Sequence, residues 1–159
     1  MIIVSDSGPI ISFAKAGHLK LLKRLFQEIT IPEGVYDDIV VRGADKPGAT
    51  EVKSWRWIRK EKVKSQVEVD QLPAGLGLGE REAIILAQEL KAALLIDDRR
   101  ARRTAEQMGI ACFGSLRVLK EAKERKLIEE IRPIGDKLKA TGLRIADSLY
   151  ERFLQEVGE

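Results

Sequence analysis

Short apolar runs that alternate with longer, helically periodic stretches constrain this chain more than any other feature. The clearest runs are Ile2–Val4 and Ala92–Ile96, and in neither do apolar residues alternate with polar ones. Strands that are apolar on both sides belong to a sheet covered on both faces, as parallel sheets with helical connections are. The pattern therefore predicts a single α/β domain, and 159 residues are enough for one substantial core.

Periodicity and turn residues predict the order of the elements. Strands are expected at 2–5, 28–31, 93–96 and 110–113, with a weaker one within 57–64. Helices are expected at 7–16, 19–26, 32–41, 48–55, 80–91, 99–108 and 115–126, then a short element at 127–131 and one or two helices within 134–157. The segment 67–79 reads as a connection. The boundaries that follow are a domain at 1–132 and a helical extension of that domain at 133–159.

Composition excludes several classes of protein. The net charge of +3 is too small to indicate a nucleic-acid partner by itself. No apolar stretch approaches the ~18 residues of a membrane span, and no signal peptide is apparent. The single cysteine, Cys112, fits a buried position in a reducing compartment, so a cytoplasmic protein without a membrane partner is expected. The absence of Asn is typical of thermophiles, although genome composition alone could produce it.

Carboxylates occur where the predicted elements meet. Asp6 ends the first apolar run, Asp97 and Asp98 end the second, and Glu80 and Glu82 open a helix. Each acid alone could be a helix cap, a turn residue or a solvated side chain. Together they are expected at one edge of the sheet, where they would repel each other unless they were protonated or held a cation. Oxygen ligands suit Mg²⁺ or Mn²⁺, so the pattern favours a divalent metal site.

A run of arginines follows the second pair of acids: Arg99, Arg100, Arg102 and Arg103. A solvated helix face is one interpretation, and phosphate binding beside a metal site is the other. Acids that hold a metal next to bases that hold a nucleic-acid backbone are what a nuclease needs.

Other motifs favour no alternative site. The glycines at 75, 77 and 79 do not directly follow a confident strand, which argues against a dinucleotide-binding loop. His18 is the only histidine, so no catalytic triad is credible. A phosphotransfer or receiver-like domain would also carry acids at strand ends, but Ser115 and Lys120 match its remaining requirements poorly.

Three segments in this order and spacing resemble a PIN domain. They are the strand end VSDSGPI (4–10), the helix start GEREAI (79–84) and the segment LIDDRRAR (95–102). A Gly-Ser-Leu segment at 114–116 makes the chain similar to a PIN subfamily of predicted nucleic-acid-binding proteins. The resemblance covers nearly the whole chain and implies a three-layer α/β/α sandwich around a mainly parallel sheet, with a helical C-terminal extension.

The resemblance also implies a function. Metal-dependent nucleases share this fold, as do the VapC-like toxins of toxin–antitoxin pairs, with single-stranded RNA as the commonest substrate. At the positions that match the family's motifs, the resemblance implies that Asp6 is a metal ligand. It implies that the other four acids are ligands or supporting acids: Glu80, Glu82, Asp97 and Asp98. The family expects a further acid in an early helix, where this chain has Asp38 in place of the usual Glu. No acid follows the strand at 110–113, where Gly114 and Ser115 stand.

Two functions follow as hypotheses. The leading one is a Mg²⁺- or Mn²⁺-dependent endoribonuclease that cleaves single-stranded RNA as the toxin of a toxin–antitoxin pair. Its catalytic acids are Asp6, Glu80, Glu82, Asp97 and Asp98; its metal ligands come from Asp6, Asp38, Glu80, Asp97 and Asp98. The alternative is a PIN-fold module that binds nucleic acid or protein without turnover. The C-terminal helices either pack on the sandwich or offer a surface to a small antitoxin or to a second copy of the chain.

Overall fold

The computed structural model describes residues 1–159 and has a five-stranded, entirely parallel sheet at its centre. The strands run in the spatial order β3-β2-β1-β4-β5. Their bounds are β1 (Ile3–Ser5), β2 (Ile29–Ile31), β3 (Ile58–Lys60), β4 (Ala93–Leu95) and β5 (Cys112–Phe113). The predicted α/β/α sandwich is therefore confirmed, with parallel pairing throughout.

Ten α-helices cover the sheet and connect the strands. They are α1 (Ser7–Lys15), α2 (Leu19–Phe26), α3 (Glu33–Tyr36), α4 (Ala49–Ser54), α5 (Gln66–Gln71), α6 (Leu78–Leu90), α7 (Arg99–Gln107), α8 (Ser115–Glu124), α9 (Arg132–Ala140) and α10 (Asp147–Glu156). A π-helical turn, Asp37–Val41, continues α3 directly. No helix has both the length and the apolar character that crossing a bilayer requires.

The central strands are buried on both faces, as their composition predicts. Every residue of β1 and β2 is buried, and Val4 has no exposed surface. The register places Val4 beside Leu94 on one side and Thr30 on the other. One hydrophobic core then extends from the sheet to the C-terminal helices, since Leu138 and Leu154 are fully buried within it.

Several expectations about elements need correction. The segment 67–79 is not only a connection, because α5 forms at Gln66–Gln71 with the Ser65 hydroxyl accepting from the Glu68 N–H. The element expected at 127–131 is neither helix nor strand. The helix expected at 32–41 divides into α3 and the π-helical turn. Cys112 is half-buried rather than buried, and desolvation raises the pKa of its thiol to about 11.

Candidate metal site at the carboxyl edge of the sheet

Strands β1 and β4 are neighbours whose onward connections diverge. The chain leaves β1 towards β2 on one side and leaves β4 towards β5 on the other. Ligands of open α/β sheets bind in the crevice that such a divergence opens at the carboxyl ends of the strands. Asp6 follows β1 directly, and its backbone N–H donates to the Leu95 carbonyl at 3.0 Å. Asp97 and Asp98 follow the end of β4, so the acids that follow β1 and the acids that follow β4 meet at this crevice.

The π-helical turn brings a further acid, Asp38, to the same edge. An extra residue in a helical turn changes the direction in which the side chains point, which is why π-turns recur at functional sites. Asp38 Oδ2 lies 3.5 Å from the Ser7 hydroxyl, at the start of α1. A Cβ at Gly79 would lie 2.5 Å from the same oxygen. The carboxylate of Asp38 therefore occupies the space that Gly79 leaves free, and α3 approaches the start of α6 closely.

Glu80 reaches the edge from the first turn of α6. Its Oε1 accepts from the Gly77 N–H at 2.9 Å, which ties the side chain back over the helix start. Burial raises the pKa of Glu80, the Gly77 N–H lowers it, and the charges of Asp98 and Asp38 raise it again. Glu80 is therefore close enough to two other acids to feel their charge.

Asp6 is the most deeply buried of these acids, with 5% of its surface exposed. Burial raises its pKa to about 7; the Ser7 backbone N–H lowers it, and the charges of Glu80, Asp38 and Asp98 add to the increase. These four acids, Asp6, Asp38, Glu80 and Asp98, are called the acid cluster below. Their mutual repulsion is the electrostatic situation that a bound cation relieves.

The acid cluster offers the oxygen ligands that hard divalent cations take. Asp6 Oδ1 is buried and has no hydrogen-bond partner, and such an oxygen is costly unless a ligand satisfies it. No three acidic, histidine or cysteine side chains converge as a ready cage for one ion. Mg²⁺ does not need such a cage, because it keeps several waters and commonly takes one or two protein carboxylates together with substrate phosphates. The donors present therefore fit an ion of this type.

Two of the sequence-predicted acids make other contacts. Glu82 is buried with 6% of its surface exposed, and its Oε1 accepts from the Gly34 N–H at 2.8 Å. Both oxygens of Asp97 accept from Ser115, one from the backbone N–H at 2.7 Å and the other from the hydroxyl at 2.6 Å. These bonds favour structural roles, with Glu82 joining α6 to α3 and Asp97 joining β4 to α8. The catalytic roles of both residues stay predictions.

Asp98, by contrast, caps a helix while staying open to the cluster. Its Oδ1 accepts from the Ala101 N–H at 2.8 Å, as an N-cap of α7 does. The residue is exposed, and its charge raises the pKa of both Asp6 and Glu80. The capping role, which the sequence presents as an alternative to a site role, is therefore observed, and the site role of Asp98 stays a prediction.

The arginines of α7 separate into distinct positions. Arg99 and Arg102 line a large cleft beside the acid cluster, and Arg102 Nε is 3.0 Å from Glu106 Oε1. The Arg100 guanidinium lies over Gly75, where a Cβ would be 2.7 Å from it, and its charge lowers the pKa of Glu80. Arg103 is exposed and does not line this cleft.

The large cleft has a volume of about 1010 Å³ and runs from the acids to the C-terminal helices. One wall carries Asp97, Asp98 and the starts of α7 and α8, and the facing wall comes from the segment 142–146 and α10. Its lining combines five basic side chains with four acidic ones, and apolar side chains such as Leu149 and Phe153 complete it. It is called the α10 cleft below.

Sequence reasoning missed three residues that shape the site. Gly79 provides the space for Asp38, Arg42 binds Asp38 Oδ1 through its Nη1 at 2.7 Å, and Ser115 occupies both oxygens of Asp97. The i, i+4 spacing of Asp38 and Arg42 was the only local signal available. The other two contacts join residues distant in sequence.

Comparisons with known proteins agree with this geometry. A family model described as a PIN domain matches residues 2–159. Among solved structures, the chain is similar to a PilT N-terminus domain protein from the hyperthermophilic archaeon Sulfolobus solfataricus P2, with a TM-score of 0.54 and 16% identity over 92% of this chain and 98% of that one. At that identity the similarity shows the fold alone. No curated protein matches the chain. Because the family model spans almost every residue, we conclude that the chain belongs to the PIN domain family.

Proposed function

We propose that this protein is a Mg²⁺- or Mn²⁺-dependent endoribonuclease that cleaves single-stranded RNA. The observation that carries the proposal is the buried, unpartnered Asp6 Oδ1 among three further acids at the point where the connections of β1 and β4 diverge. PIN domains are generally nucleases, so membership of the family supports the same reaction class.

The acid cluster would hold the ion, with Asp6 at its centre. Asp6, whose pKa is raised to about 7, would be held ionised by the cation at neutral pH. Glu80, Asp98 and Asp38 would contribute further oxygens directly or through water. A divalent ion in this position supplies Lewis-acid stabilisation of the phosphate and lowers the pKa of water, which is what phosphodiester hydrolysis requires.

Positively charged side chains beside the cluster would orient the substrate. Arg99 and Arg102 line the α10 cleft, and Arg100 lies close enough to Glu80 to lower its pKa. Guanidinium groups bind phosphate oxygens strongly and fix the register of a backbone. Phe153 on the facing wall offers an aromatic surface to an unpaired base, which supports a single-stranded substrate.

A non-catalytic module that binds nucleic acid or protein is the second candidate. It is favoured by the absence of three acids in position to hold one ion, and by the bonds that occupy both oxygens of Asp97. On this hypothesis the α10 cleft would bind RNA or protein without any dependence on metal.

The test is cleavage of a mixed-sequence single-stranded RNA in Mn²⁺ or Mg²⁺ by the wild type, by Asp6→Asn and by a matched control, Asp70→Asn. Asp70 is an exposed acid on α5, outside the cluster. The nuclease proposal expects cleavage by wild type and control, and none by Asp6→Asn or in EDTA. RNA binding without cleavage by the wild type would instead support the binding module.

We also propose that the physiological role is that of a toxin held in check by a small antitoxin. The α10 cleft is the accessible surface next to the acid cluster, so a bound protein segment there would block the substrate. Induced expression in a bacterial host should arrest growth with the wild type and not with Asp6→Asn. Unimpaired growth at equal protein levels would argue against a toxin role while leaving the nuclease proposal untouched.

A further inference from the structure

A second, smaller cleft meets the acid cluster at Asp38, whereas the α10 cleft meets it at Asp98. It has a volume of about 200 Å³ and is lined by Lys15, Arg42 and Lys46 around a floor that includes Ile11 and Ile39. It is called the Lys15 cleft below. Helix α1 lies between the two clefts. Its residues Gly8 and Ser12 line the α10 cleft, whereas Ile11 and Lys15 line the Lys15 cleft.

The lining of the Lys15 cleft carries an excess of two positive charges. Three cationic side chains face one carboxylate, that of Asp38. In the larger α10 cleft five basic and four acidic side chains leave an excess of one positive charge. None of the six salt bridges in the structure includes Lys15 or Lys46. An anion in this cleft would therefore meet two lysines whose charge no carboxylate neutralises.

Asp38 joins the Lys15 cleft to the acid cluster through its two oxygens. Oδ2 is the oxygen near Ser7 and Gly79, and the charge of the Asp38 carboxylate raises the pKa of Asp6. Oδ1 binds Arg42 Nη1 at 2.7 Å, on the side of the Lys15 cleft. A guanidinium has five N–H donors, so Arg42 keeps donors for a second acceptor while it holds Asp38. An anion bound to Arg42 would therefore lie beside Asp38, which is a member of the acid cluster.

We propose that the Lys15 cleft is a phosphate subsite that binds the RNA backbone on one side of the bond to be cleaved. The inference rests on the proposed function and adds to it the path that the RNA strand takes across the protein. The strand lies in the α10 cleft, crosses the acid cluster over the start of α1, and places a neighbouring phosphate between Lys15, Arg42 and Lys46. The apolar floor of Ile11 and Ile39 then lies beneath the sugar.

The competing explanation is a solvated surface without a ligand. Exposed lysines are common, and the chain carries others that line neither cleft, such as Lys20 and Lys23 on α2. These two provide a matched control, since their removal changes the net charge by the same amount. A general electrostatic effect would be equal in both double variants, whereas a subsite would be specific to one.

The experiment measures the affinity of single-stranded RNA as a function of salt for the wild type, Lys15→Ala/Lys46→Ala and Lys20→Ala/Lys23→Ala. Ca²⁺ replaces Mg²⁺ because it also takes oxygen ligands, and a gel verifies that the strand stays intact. The loss of one phosphate contact lowers the slope of log K against log salt by about 0.7 for single strands, so the cleft variant should lose about 0.7 and the control nothing. Thermal unfolding verifies that all three proteins are folded.

A second readout locates the contact on the strand. In a series of oligonucleotides that each carry one uncharged methylphosphonate linkage, the wild type should lose affinity at a linkage next to the cleavage position. The cleft variant should be insensitive to that same linkage and keep its sensitivity elsewhere.

The outcomes separate the two proposals. If the wild type binds RNA and both double variants have its salt slope and methylphosphonate profile, the phosphate subsite is excluded and the proposed nuclease stands. If the wild type does not bind single-stranded RNA at any salt concentration, the proposed substrate is wrong and the subsite falls with it. If the slope of log K against log salt falls in Lys15→Ala/Lys46→Ala and not in Lys20→Ala/Lys23→Ala, the phosphate subsite is supported.

Discussion

Two buried carboxylates, Asp6 and Glu82, differ in how their oxygens are satisfied although their exposure is almost the same, at 5% and 6%. Glu82 accepts a 2.8 Å hydrogen bond from the Gly34 N–H and so connects α6 to α3. Asp6 keeps one oxygen without a partner, among acids that repel it. Similar burial therefore accompanies a difference in hydrogen bonding, because Glu82 joins two helices through its bond whereas Asp6 keeps a buried oxygen without a donor.

The contrast predicts that Glu82 stabilises the fold and that Asp6 destabilises it until a ligand binds. A buried acceptor that is bonded contributes to stability, whereas an unbonded one costs about 1–3 kcal/mol. The cost at Asp6 is tolerable if a cation satisfies the oxygen in the functional state. Loss of Asp6 should therefore affect activity above all, and loss of Glu82 should affect stability above all.

The largest effect is expected from Asp6→Asn. The amide is nearly isosteric but carries no charge for a cation, so metal-dependent cleavage should fall by about 10³-fold. Initial rates in saturating Mn²⁺ measure this, and urea unfolding should show that the variant is at least as stable as the wild type in EDTA. Activity within tenfold of the wild type would remove Asp6 from the site.

Removal of the Glu82 carboxylate should be the main perturbation of stability. Glu82→Ala leaves the Gly34 N–H without a partner and opens a cavity, so the free energy of unfolding should fall by about 3 kcal/mol. Glu82→Gln keeps an acceptor oxygen and should cost under about 1 kcal/mol. Urea titrations followed by circular dichroism distinguish the two, and equal losses would mean that the hydrogen bond is unimportant.

The pH dependence of stability should differ between the wild type and Asp6→Asn. The pKa of Asp6 is about 7 in the folded protein and near its ordinary value of 3.8 in the unfolded chain, so between these two pH values the folded state binds more protons. Stability from this residue is therefore complete below about pH 4 and falls as pH rises to about 7, by about 1 kcal/mol per pH unit. The measurement is the difference in unfolding free energy between the two proteins, in EDTA, from pH 4.5 to 7.5.

Other titrating groups cancel in that difference, since they are common to both proteins. Millimolar Mg²⁺ should restore stability to the wild type at pH 7.5 and leave Asp6→Asn unchanged. A difference that stays flat with pH would mean that the Asp6 carboxylate is not destabilised by its surroundings.

Gly79→Ala tests the approach of Asp38 to the cluster and should have the smallest effect. The new Cβ would lie 2.5 Å from Asp38 Oδ2, so the carboxylate must move. We expect a loss of about 1–2 kcal/mol in stability and a higher Mn²⁺ concentration at half-maximal cleavage. Gly8→Ala is the stability control, because nothing lies within 4 Å of the Cβ it adds and Ala favours a helix. Unchanged Mn²⁺ dependence in Gly79→Ala would place Asp38 outside the metal site.

The regular elements could largely be predicted from sequence because their signals are local. Helices α2, α6 and α7 form within two residues of their predicted bounds, and the apolar runs at β1 and β4 are buried strands. Helix α5 was missed because its six residues carry too few apolar positions for a period to be recognised. The π-helical turn has no distinctive composition and depends on the packing of α3 against its neighbours.

The choice between adjacent acids depended on the tertiary structure. Glu82 is two positions after Glu80 on a helix, so the two side chains point in directions about 200° apart, and only the packing of α6 shows which one faces the edge. Asp97 and Asp98 are alternatives in the same way, and the bond to Ser115, which lies on another element, distinguishes them. Such contacts join residues far apart in sequence and have no local signal.

The sequence by itself determined the class of fold, the order of its strands and helices, and the family to which it belongs, because apolar periodicity and motif spacing are properties of short segments. Only the tertiary structure decided which acids gather around Asp6, that Asp38 arrives there through the space at Gly79, and that Lys15 and Lys46 face one cleft. The reason is physical: burial, repulsion between charges and the satisfaction of an oxygen depend on distances through space, which the order of residues along the chain does not specify.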